Sequence, residues 1–559
     1  MTDRLTIALV QSNQRVGDLA GNADRMLAHR EALKSEGVDL IVFPEMQLIG
    51  YPAEDLYQKP ALAERAAVEL ARMAEATADG GAAMLVGTVY RSEEGRLYNA
   101  EMLLADGKVA GLTLKHELPN YGVFDEKRNF SAGPLPEPLL FKGVKLGVPI
   151  CEDIWFPTVC GHLSRQGAEI LIAPHGSPYE IDKDDLRHEG VAVVRVKETG
   201  LPLIFLNRVG GQDELVFDGC SFVLNADGAL AHQLPDWEEA VRITRWNRMD
   251  KGWVCEQGEI AKLEPHPADT YHAMMIGLRD YVDTNRFPGV VLGLSGGIDS
   301  AICAAIAADA LGPDRVWCVM LPSRFTSQAS LDDAAACAEM IGCRHEVIPI
   351  IPAVEAFDQM LAGSFSDVEV DITEENIQSR IRGVTLMALS NKFGHMLLTT
   401  GNKSEMSVGY ATIYGDMAGG YNPLKDAYKT TVFAVSKWRN AHKPRLGLGV
   451  DGPVMPESII TKPPSAELRP DQKDSDSLPP YDVLDPILLG LVEQDMSVDA
   501  IVADNKGKAG FERDTVARIE KLLNIAEYKR RQAPPGVKLG KRNFGRDRRY
   551  PITNAFRTG

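Results

Sequence analysis

Three residues in the first half of the chain have side chains that could together cleave an amide. Cys151, in GVPICEDIWFP, follows the apolar run 146–150, and Glu45, in FPEMQLIGYP, and Lys115, in LKHELPNYGVF, also follow strand-like runs. A thiol attacks a carbonyl once a carboxylate has accepted its proton, and a fixed ammonium group stabilises the oxyanion that forms. These residue types predict a site that forms a thioester and releases ammonia. Taken singly, they also fit a packing cysteine, a turn acid and a surface lysine.

A glycine-rich loop in the second half, LGLSGGIDSA at residues 292–301, has the features of a phosphate site. Gly296 and Gly297 would let the backbone approach phosphate oxygens, and the helix that follows would direct free N–H groups at the anion. The loop lacks the lysine of G-x-x-x-x-G-K-[ST] and carries Asp299 instead. A carboxylate suits a Mg²⁺ ion that bridges to pyrophosphate. We therefore expect a loop that holds and releases pyrophosphate; the simpler alternative is a glycine-rich turn.

Strands and helices alternate over residues 1–250, which predicts a layered α/β unit around the cysteine site. Runs typical of strands occupy residues 5–10, 40–44 and 83–90, and runs typical of helices occupy residues 22–36 and 61–78. Segments 98–114 and 220–242 are predicted β-hairpins, with turns at Asp106-Gly107 and Asp227-Gly228. The mixture predicts a layered sheet structure with antiparallel elements.

Residues 251–268 break both periodicities and are predicted to link this unit to a second one, residues 269–559. In the second unit, helices are expected at 269–285, 301–311 and 329–341, and strands at 290–294, 316–320 and 345–350. This alternation predicts a Rossmann-like, doubly wound parallel sheet. The polar, proline-rich segment 462–483 is predicted to be a disordered loop or a mobile lid.

Composition narrows the class of protein. The 559 residues carry a net charge of −18, which argues against a general nucleic-acid binder. No uncharged run approaches the ~18 residues of a membrane helix, and the N-terminus lacks a signal-peptide pattern. The eight cysteines form no C-x-x-C pair, so we expect reduced thiols and no zinc site. A cytoplasmic enzyme that binds neither nucleic acid nor membrane is the resulting expectation.

The motifs around Glu45, Lys115 and Cys151 resemble those of the nitrilase, or carbon–nitrogen hydrolase, superfamily over about residues 4–250. The resemblance implies a four-layer α-β-β-α sandwich in which Glu45 is the general base, Lys115 stabilises the transition state and Cys151 is the nucleophile. It also implies a set of glutamine-binding residues, which are Tyr121, Glu126, Ser177 and Lys183. Tyr51 is a weaker candidate for the same pocket. Glu126 matches the extra acid that positions the lysine.

The loop SGGIDS resembles that of the ATP-pyrophosphatase family, which activates carboxylates by adenylation. Downstream motifs resemble those of NAD synthetases; one of them is LLTTGNKSEMSVGYATIYGDMAGGYNPLKDAYKT, at residues 397–430. Together with the first half, the whole chain resembles the glutamine-dependent NAD synthetases nearly end to end. Other members fit less well: Thr2 stands where glutamine-using asparagine synthetases have a cysteine, GMP synthetases carry a different amidotransferase, and tRNA-thiolating enzymes commonly have C-x-x-C pairs.

The resemblance assigns functions to residues of the second unit. It implies glutamine, deamido-NAD and ATP as small-molecule substrates, Mg²⁺ as cofactor, a protected route for ammonia, and a homo-oligomer, a dimer or larger. The implied ATP contacts are Gly293, Leu294, Ser295, Gly296, Gly297, Ile298, Asp299, Ser300 and Thr400. The implied deamido-NAD contacts are Asn376, Arg380, Glu405, Asp416, Lys429 and Lys529, with Arg382 beside them, and the implied metal ligands are Asp299 and Glu405. An amidotransferase acting on another carboxylate, or an amidase with a nucleotide-sensing module, remains an alternative.

Overall fold

The computed structural model describes residues 2–470, 472, 474–476 and 478–559. The chain divides into two compact units, Met1–Glu264 and Pro265–Gly559, each with its own sheets and core. None of the helices in the described residues is both long and apolar enough to cross a membrane.

The first unit is rich in strands. They are β1 (Arg4–Gln11), β2 (Leu40–Val42), β3 (Ala83–Arg91), β4 (Leu97–Ala105), β5 (Lys108–Leu114), β6 (Leu139–Phe141), β7 (Val144–Gly147), β8 (Ile170–His175), β9 (Leu203–Asn207), β10 (Val209–Gln212), β11 (Leu215–Asp218), β12 (Phe222–Leu224), β13 (Leu230–Gln233), β14 (Ala240–Met249) and β15 (Gly252–Cys255). The helices are α1 (Leu19–Ala32), α2 (Pro60–Ala76), α3 (Glu126–Asn129), α4 (Pro157–Arg165), α5 (Lys183–Asp185) and α6 (Val193–Thr199). A π-helix covers Leu186–Ala192, and 3₁₀ helices cover Lys34–Glu36, Glu54–Gln58, Thr77–Asp79 and Cys151–Ile154.

Two sheets stack face to face in this unit. One has the order β15-β14-β1-β2-β3-β4-β5, and the other has the order β13-β12-β9-β8-β7-β6. Alternate strand residues such as Ile7 and Leu9 pack against Leu146 and Ile172 of the opposite sheet, because successive strand side chains point to opposite faces. The outer faces pack against α1 and α2 on one side and α4 and α6 on the other. The four-layer α-β-β-α sandwich is therefore confirmed.

Strand direction brings the predicted cysteine site together. Strand β2 is parallel to β3, and β5 follows two antiparallel steps from β3, so β2 and β5 end at the same sheet edge. Strands β7, β8 and β9 are likewise parallel. Glu45 comes shortly after β2, Lys115 directly after β5 and Cys151 shortly after β7. Carboxyl ends of parallel strands are where α/β folds collect functional groups.

The sequence prediction was wrong for the end of this unit. The hairpin expected over residues 220–242 ends at Gln233, and β14 instead pairs with β1 in the other sheet. Pro235 explains the break, since proline has no N–H to donate to a strand ladder. Strand β15, within the segment expected to be a linker, pairs with β14 as an edge strand.

The second unit is mainly helical. Its helices are α7 (Ala268–Thr284), α8 (Ile298–Leu311), α9 (Gln328–Ile341), α10 (Ile351–Leu361), α11 (Ile372–Phe393), α12 (Lys403–Val408), α13 (Lys429–Ala441), α14 (Glu457–Thr461), α15 (Tyr481–Val492), α16 (Val498–Asp504), α17 (Arg513–Ile525) and α18 (Glu527–Arg530), and 3₁₀ turns cover Pro313–Arg315 and Asp474–Asp476. Its strands are β16 (Val290–Gly293), β17 (Val316–Met320), β18 (Arg344–Val347) and β19 (Met396–Leu397).

These four strands form a parallel sheet of order β18-β17-β16-β19. Helix α8 packs on one side of β16, and Ile381 and Leu386 of α11 pack with Val291 on the other. The chain thus winds outward in both directions from β16, which confirms the doubly wound sheet. The segment 462–483 lies partly outside the described residues; within it, Glu467 accepts hydrogen bonds from Ser327 and Ser330 at the start of α9.

Candidate active sites

A buried lysine between two carboxylates forms the centre of the first site. The Lys115 ammonium group donates to Glu45 Oε1 at 2.7 Å and to Glu126 Oε1 at 2.9 Å. Burial lowers the pKa of Lys115, but the negative charges of Glu126 and Glu45 outweigh it, so the net pKa is well above its ordinary value. Lys115 is therefore a permanent positive charge, as a group that stabilises an oxyanion must be.

Two further groups orient the Glu45 carboxylate. Asn99, on β4, donates to Oε1 at 2.7 Å, and the backbone N–H of Gly176 donates to Oε2 at 2.8 Å. Each carboxylate oxygen of Glu45 thus has a fixed donor, which restricts the side chain to one orientation. Sequence reasoning missed Asn99, because a polar residue inside a hairpin strand carries no local signal.

Cys151 lies at a strained backbone position. Its φ is +46°, in the left-handed region that non-glycine residues seldom occupy, and it is the first residue of the 3₁₀ helix Cys151–Ile154. Strain of this kind is often found where a side chain must be displayed at an active site. Burial and the Glu45 charge raise the pKa of the thiol well above its usual value, against a lowering by Lys115. The resting thiol is therefore protonated and needs a base.

Asp153 joins the cysteine turn to the lysine segment. Its carboxylate accepts hydrogen bonds from the backbone N–H groups of Ile150 at 2.9 Å and Glu117 at 2.7 Å. Burial raises the pKa of Asp153 to about 6, although these N–H donors favour the ionised form. Cys151 and Lys115 are thus held in one hydrogen-bonded framework, and sequence reasoning did not assign Asp153 this role.

The predicted glutamine-binding residues surround this centre unevenly. The Tyr51 hydroxyl donates to Glu126 Oε1 at 2.9 Å. The Tyr121 ring is 55% exposed, and its hydroxyl donates to Glu152 Oε1 at 2.9 Å. Lys183 donates to the Pro178 carbonyl at 3.3 Å. Tyr121 and Lys183 thus have solvent-accessible parts from which they could contact a ligand, whereas Tyr51 and Glu126 are buried behind the lysine.

The structure adds Arg187, in the π-helix, as a support for Ser177. Arg187 forms a buried ion pair with Asp218, at 2.6 Å, and donates to the Ser177 hydroxyl at 3.1 Å and carbonyl at 2.9 Å. Because the guanidinium group occupies an acceptor site of the hydroxyl, the hydroxyl proton remains available to a ligand. A π-turn often marks a functional site, but it has no dependable sequence signal.

The glycine-rich loop of the second unit has the geometry expected of a phosphate site. Gly296 has φ +78°, and a Cβ there would lie 2.4 Å from the Ser330 carbonyl oxygen, so only glycine fits. Ser300 Oγ accepts from the Ser295 N–H at 3.1 Å and donates to the Gly297 carbonyl at 3.0 Å. Helix α8 begins at Ile298, which places its N-terminus at the loop.

Behind the loop, Lys429 bridges Asp299 and Glu405. Its ammonium group contacts Asp299 Oδ2 closely and donates to Glu405 Oε1 at 3.2 Å. Burial raises the pKa of Glu405 to about 8, against a lowering by Lys429. Asn402 caps α12 by accepting from the Glu405 N–H at 2.9 Å and donates to Asp299 Oδ1 at 2.9 Å. Sequence reasoning missed Asn402, although an asparagine three residues before a glutamate is typical of a helix start.

Residues expected to contact deamido-NAD gather around one loop, residues 409–416. Lys529 donates to the carbonyls of Gly409 and Ala411, at 2.7 and 2.6 Å. Arg380 donates to a loop carbonyl at 3.2 Å, and the Asn376 amide oxygen accepts from a loop hydroxyl at 2.9 Å. Asp416 accepts from a loop N–H at 2.6 Å. The four residues therefore lie in one region.

Two remaining residues lie at the carboxyl edge of the parallel sheet. Thr400 follows β19 within three residues, and Arg382 on α11 donates to the carbonyl of Leu321, which follows β17, at 3.0 Å. This edge also carries the glycine-rich loop after β16. Open parallel sheets bind ligands at this edge.

The donors of the second site fit a magnesium ion. No cluster of three or more histidine, cysteine or acidic side chains suited to a metal occurs in the described part of the chain. Mg²⁺, however, is usually held by one or two carboxylates together with substrate phosphates. Asp299 and Glu405 supply two hard oxygen donors, and both contact the Lys429 ammonium group.

Comparison with known proteins supports the family assignment of both halves of the chain. The carbon-nitrogen hydrolase family matches residues 6–250, and the NAD synthase family matches residues 270–533. A glutamine-dependent NAD(+) synthetase of Rhodobacter capsulatus is 54% identical over 558 residues, 100% of both chains. That of Acinetobacter baylyi is 44% identical, over 99% of this chain and 98% of the relative.

Solved structures agree with these matches. A glutamine-dependent NAD+ synthetase from Acinetobacter baumannii, solved in complex with adenosine diphosphate, superposes with a TM-score of 0.78 at 41% identity, over 100% of both chains. Fold and sites thus define a carbon–nitrogen hydrolase unit joined to an ATP-pyrophosphatase-type synthetase unit. More specifically, the chain belongs to the family of glutamine-dependent NAD(+) synthetases.

Proposed function

We propose that this chain makes NAD from deamido-NAD, with the work divided between the Cys151 site and the loop that carries Asp299. As a member of its family, the chain is a ligase that forms C–N bonds with glutamine as amide donor and ATP as substrate. The observation that carries the division of work is the presence of a buried lysine–dicarboxylate centre in each unit, one beside a thiol and one beside a phosphate loop.

The first half-reaction is glutamine hydrolysis. Glu45 accepts the Cys151 proton as the sulfur attacks the side-chain amide, and Lys115 stabilises the oxyanion. The proton then passes from Glu45 to the leaving nitrogen, which departs as ammonia and leaves a thioester. Water, activated by Glu45, releases glutamate. Tyr121, Ser177 and Lys183 hold the glutamine, and Glu126 keeps Lys115 in place.

The second half-reaction activates and amidates the nicotinate carboxylate. The loop 293–300 and Thr400 bind ATP, while Asn376, Arg380, Asp416 and Lys529 bind deamido-NAD. Asp299 and Glu405 would hold Mg²⁺, which supplies charge neutralisation for the pyrophosphate when bound. Lys429 stabilises the negative charge that develops as the carboxylate displaces pyrophosphate. Ammonia then displaces AMP to give NAD.

The test is an assay of NAD formation with glutamine or with ammonium chloride as nitrogen donor. Cys151→Ala should abolish the glutamine-driven reaction and leave the ammonium-driven one intact. Asp299→Ala should abolish both while glutamine hydrolysis persists. Loss of both reactions in a folded Cys151→Ala protein, or full synthesis by Asp299→Ala, would overturn the assignment.

We further infer that the protein acts in the cytoplasm as a homo-oligomer. All eight cysteines are free thiols, which is typical of proteins in a reducing compartment, and the family resemblance supports oligomerisation. Light scattering at several protein concentrations tests the oligomeric state; a monomer at every concentration would contradict it.

A further inference from the structure

Two neighbouring strands of the first unit carry a group of buried polar side chains next to the Glu45 site. Asn99 and Glu101 on β4, and Thr113 on β5, are at most 1% exposed. Successive side chains of a strand alternate between faces, so Asn99 and Glu101 share one face of β4, and Thr113, which pairs with Glu101, lies on the same face. Leu103, the next residue of β4 on this face, packs in the apolar layer between the two sheets. The three polar side chains therefore lie inside the sandwich.

The Glu101 carboxyl group lies beside the segment that carries Glu45. A Cβ placed at Gly87, which pairs with Glu101 from β3, would lie 2.6 Å from Glu101 Oε1 and 2.3 Å from the Met46 nitrogen. The carboxyl oxygen and the Met46 nitrogen thus flank one point above a residue that has no side chain. Glycine at position 87 leaves the space that this carboxyl group needs next to the catalytic segment.

Four polar atoms of this group have no hydrogen-bond partner among the residues that the structure describes. They are Asn99 Oδ1, both carboxyl oxygens of Glu101, and Thr113 Oγ1. Buried polar atoms nearly always have a partner, and these atoms complement one another. The amide oxygen of Asn99 can only accept, whereas a hydroxyl group and a protonated carboxyl group can donate. Polar groups that are too far apart for a direct hydrogen bond are commonly bridged by an ordered water molecule.

We propose that Glu101 is a positioning residue of the first site, which acts as a neutral acid and, together with Thr113, donates hydrogen bonds through ordered water to Asn99 Oδ1. The inference rests on the proposed function of the first unit. A donor at Oδ1 keeps the Asn99 amide nitrogen directed at Glu45, to which it donates at 2.7 Å. The reversed amide would turn its oxygen towards the Glu45 carboxylate, and the two acceptors would repel each other.

The proton on Glu101 decides the sign of this effect. Burial and the negative charge of Glu45 raise the pKa of Glu101 well above its ordinary value, so the carboxyl group keeps its proton in the resting site. An ionised Glu101 could only accept hydrogen bonds and would favour the reversed Asn99 amide. It would also add a further negative charge beside Glu45 and Glu126. A neutral Glu101 avoids both effects.

Three substitutions test the hydrogen-bond donors. Glu101→Leu removes the donor and should lower kcat for glutamine hydrolysis about three- to tenfold, the value of one hydrogen bond, at an unchanged KM for glutamine. Glu101→Gln keeps an N–H donor and should restore kcat to within about twofold of wild type. Thr113→Val should lower kcat as Glu101→Leu does. Thr88→Val is the matched control, because Thr88 is equally buried and pairs with Ala100 on the opposite face of the sheet.

Hydrogen exchange distinguishes a positioning role from a structural one. Replacement of a buried, incompletely bonded polar group by an apolar one need not destabilise a fold, so the β4 and β5 amides of Glu101→Leu should exchange no faster than in wild type. Ammonium-driven NAD synthesis should stay unchanged in each variant, because it uses the second unit. An infrared difference spectrum between wild type and Glu101→Gln at neutral pH should show the carbonyl band of a protonated carboxyl group.

Several results would overturn the proposal. They are a kcat of Glu101→Leu within about twofold of wild type, faster amide exchange in β4 of that variant, a kcat of Glu101→Gln as low as that of Glu101→Leu, and a carboxylate band in the difference spectrum. Glu45→Gln tests the proposed function separately, because hydrolysis should be abolished without the general base. Retained hydrolysis in a folded Glu45→Gln protein would overturn the proposed function of the first unit.

Discussion

Glu126→Gln should reduce glutamine hydrolysis and change its pH dependence. The carboxylate accepts hydrogen bonds from Lys115 and from the Tyr51 hydroxyl, both at 2.9 Å. Glutamine keeps the shape and an acceptor oxygen but removes the charge. One charged, buried hydrogen bond contributes about 1.5–3 kcal/mol, and about 1.4 kcal/mol corresponds to a tenfold change in rate. We therefore expect a roughly 10- to 150-fold lower kcat for glutamate release.

The pH profile gives a second, independent signature. Burial raises the pKa of Glu126 to about 7 despite the opposing charge of Lys115. Below this pH Glu126 gains a proton and no longer supports Lys115, so wild-type hydrolysis should fall as pH decreases through about 7. Unfolding does not explain such a fall. Because the pKa of Glu126 is higher in the folded protein than in the unfolded chain, its contribution to folding stability is complete at low pH, below the unfolded-state pKa. That contribution is lost as pH rises through about 7, so the fold gains stability, and does not lose it, in the range where activity should fall.

The assay is steady-state glutamate release from pH 5.5 to 8.5, with ammonium-driven NAD synthesis at pH 8 as a measure of intact folding. Glu31→Gln, an exposed acid on α1, is the matched control and should behave as wild type. The reasoning is refuted if Glu126→Gln stays within about twofold of wild type at pH 8, or if the variant keeps the same step near pH 7.

Three further changes test separate parts of the structure. Arg187→Lys cannot keep all the contacts of the guanidinium group to Ser177 and Asp218. The KM for glutamine should therefore rise about tenfold, the value of one lost charged hydrogen bond, and ammonium-driven synthesis should stay unchanged. A lower kcat at constant KM would contradict this. Lys429→Met should abolish NAD synthesis from both nitrogen donors while glutamate release continues, and retained synthesis would contradict its role. Lys403→Met removes the ion-pair partner of the buried acids Glu493 and Asp426. Denaturant unfolding should therefore show a free energy of unfolding that is about 3–5 kcal/mol lower. A decrease below about 1 kcal/mol would contradict this role for Lys403.

Strand-end residues were predictable from the sequence because their signal is local. Cys151 and Lys115 each follow an apolar run closely, although the strands that precede them, β7 and β5, belong to different sheets of the sandwich. The same reasoning located the loop after β16, where two glycines and Asp299 stand between a strand and a helix. The family resemblance supplied Glu126 as the partner of Lys115, but the sequence did not supply the other supporting partners.

Asn99, Asp153 and Arg187 show why. Asn99 is 54 positions from Glu45, and Arg187 is 31 positions from Asp218. Their hydrogen bonds depend on register across the sheets and on a π-turn, neither of which is encoded by local periodicity. The hairpin expected over residues 220–242 failed for a related reason, since the path beyond Pro235 depends on pairing with β1, at the start of the chain.

The two sites share one electrostatic design. Each contains one buried lysine and two carboxylates, Glu45 and Glu126 with Lys115, and Asp299 and Glu405 with Lys429. If both acids ionise, each centre carries a surplus of one negative charge, which burial makes unfavourable. In the first site a proton on Glu126 can remove that surplus. Burial of the charged group accordingly raises the pKa of Glu126. In the second site a proton on Glu405, whose pKa burial raises to about 8, or an added cation can remove it, and two acids behind a phosphate loop suit the binding of Mg²⁺ together with ATP.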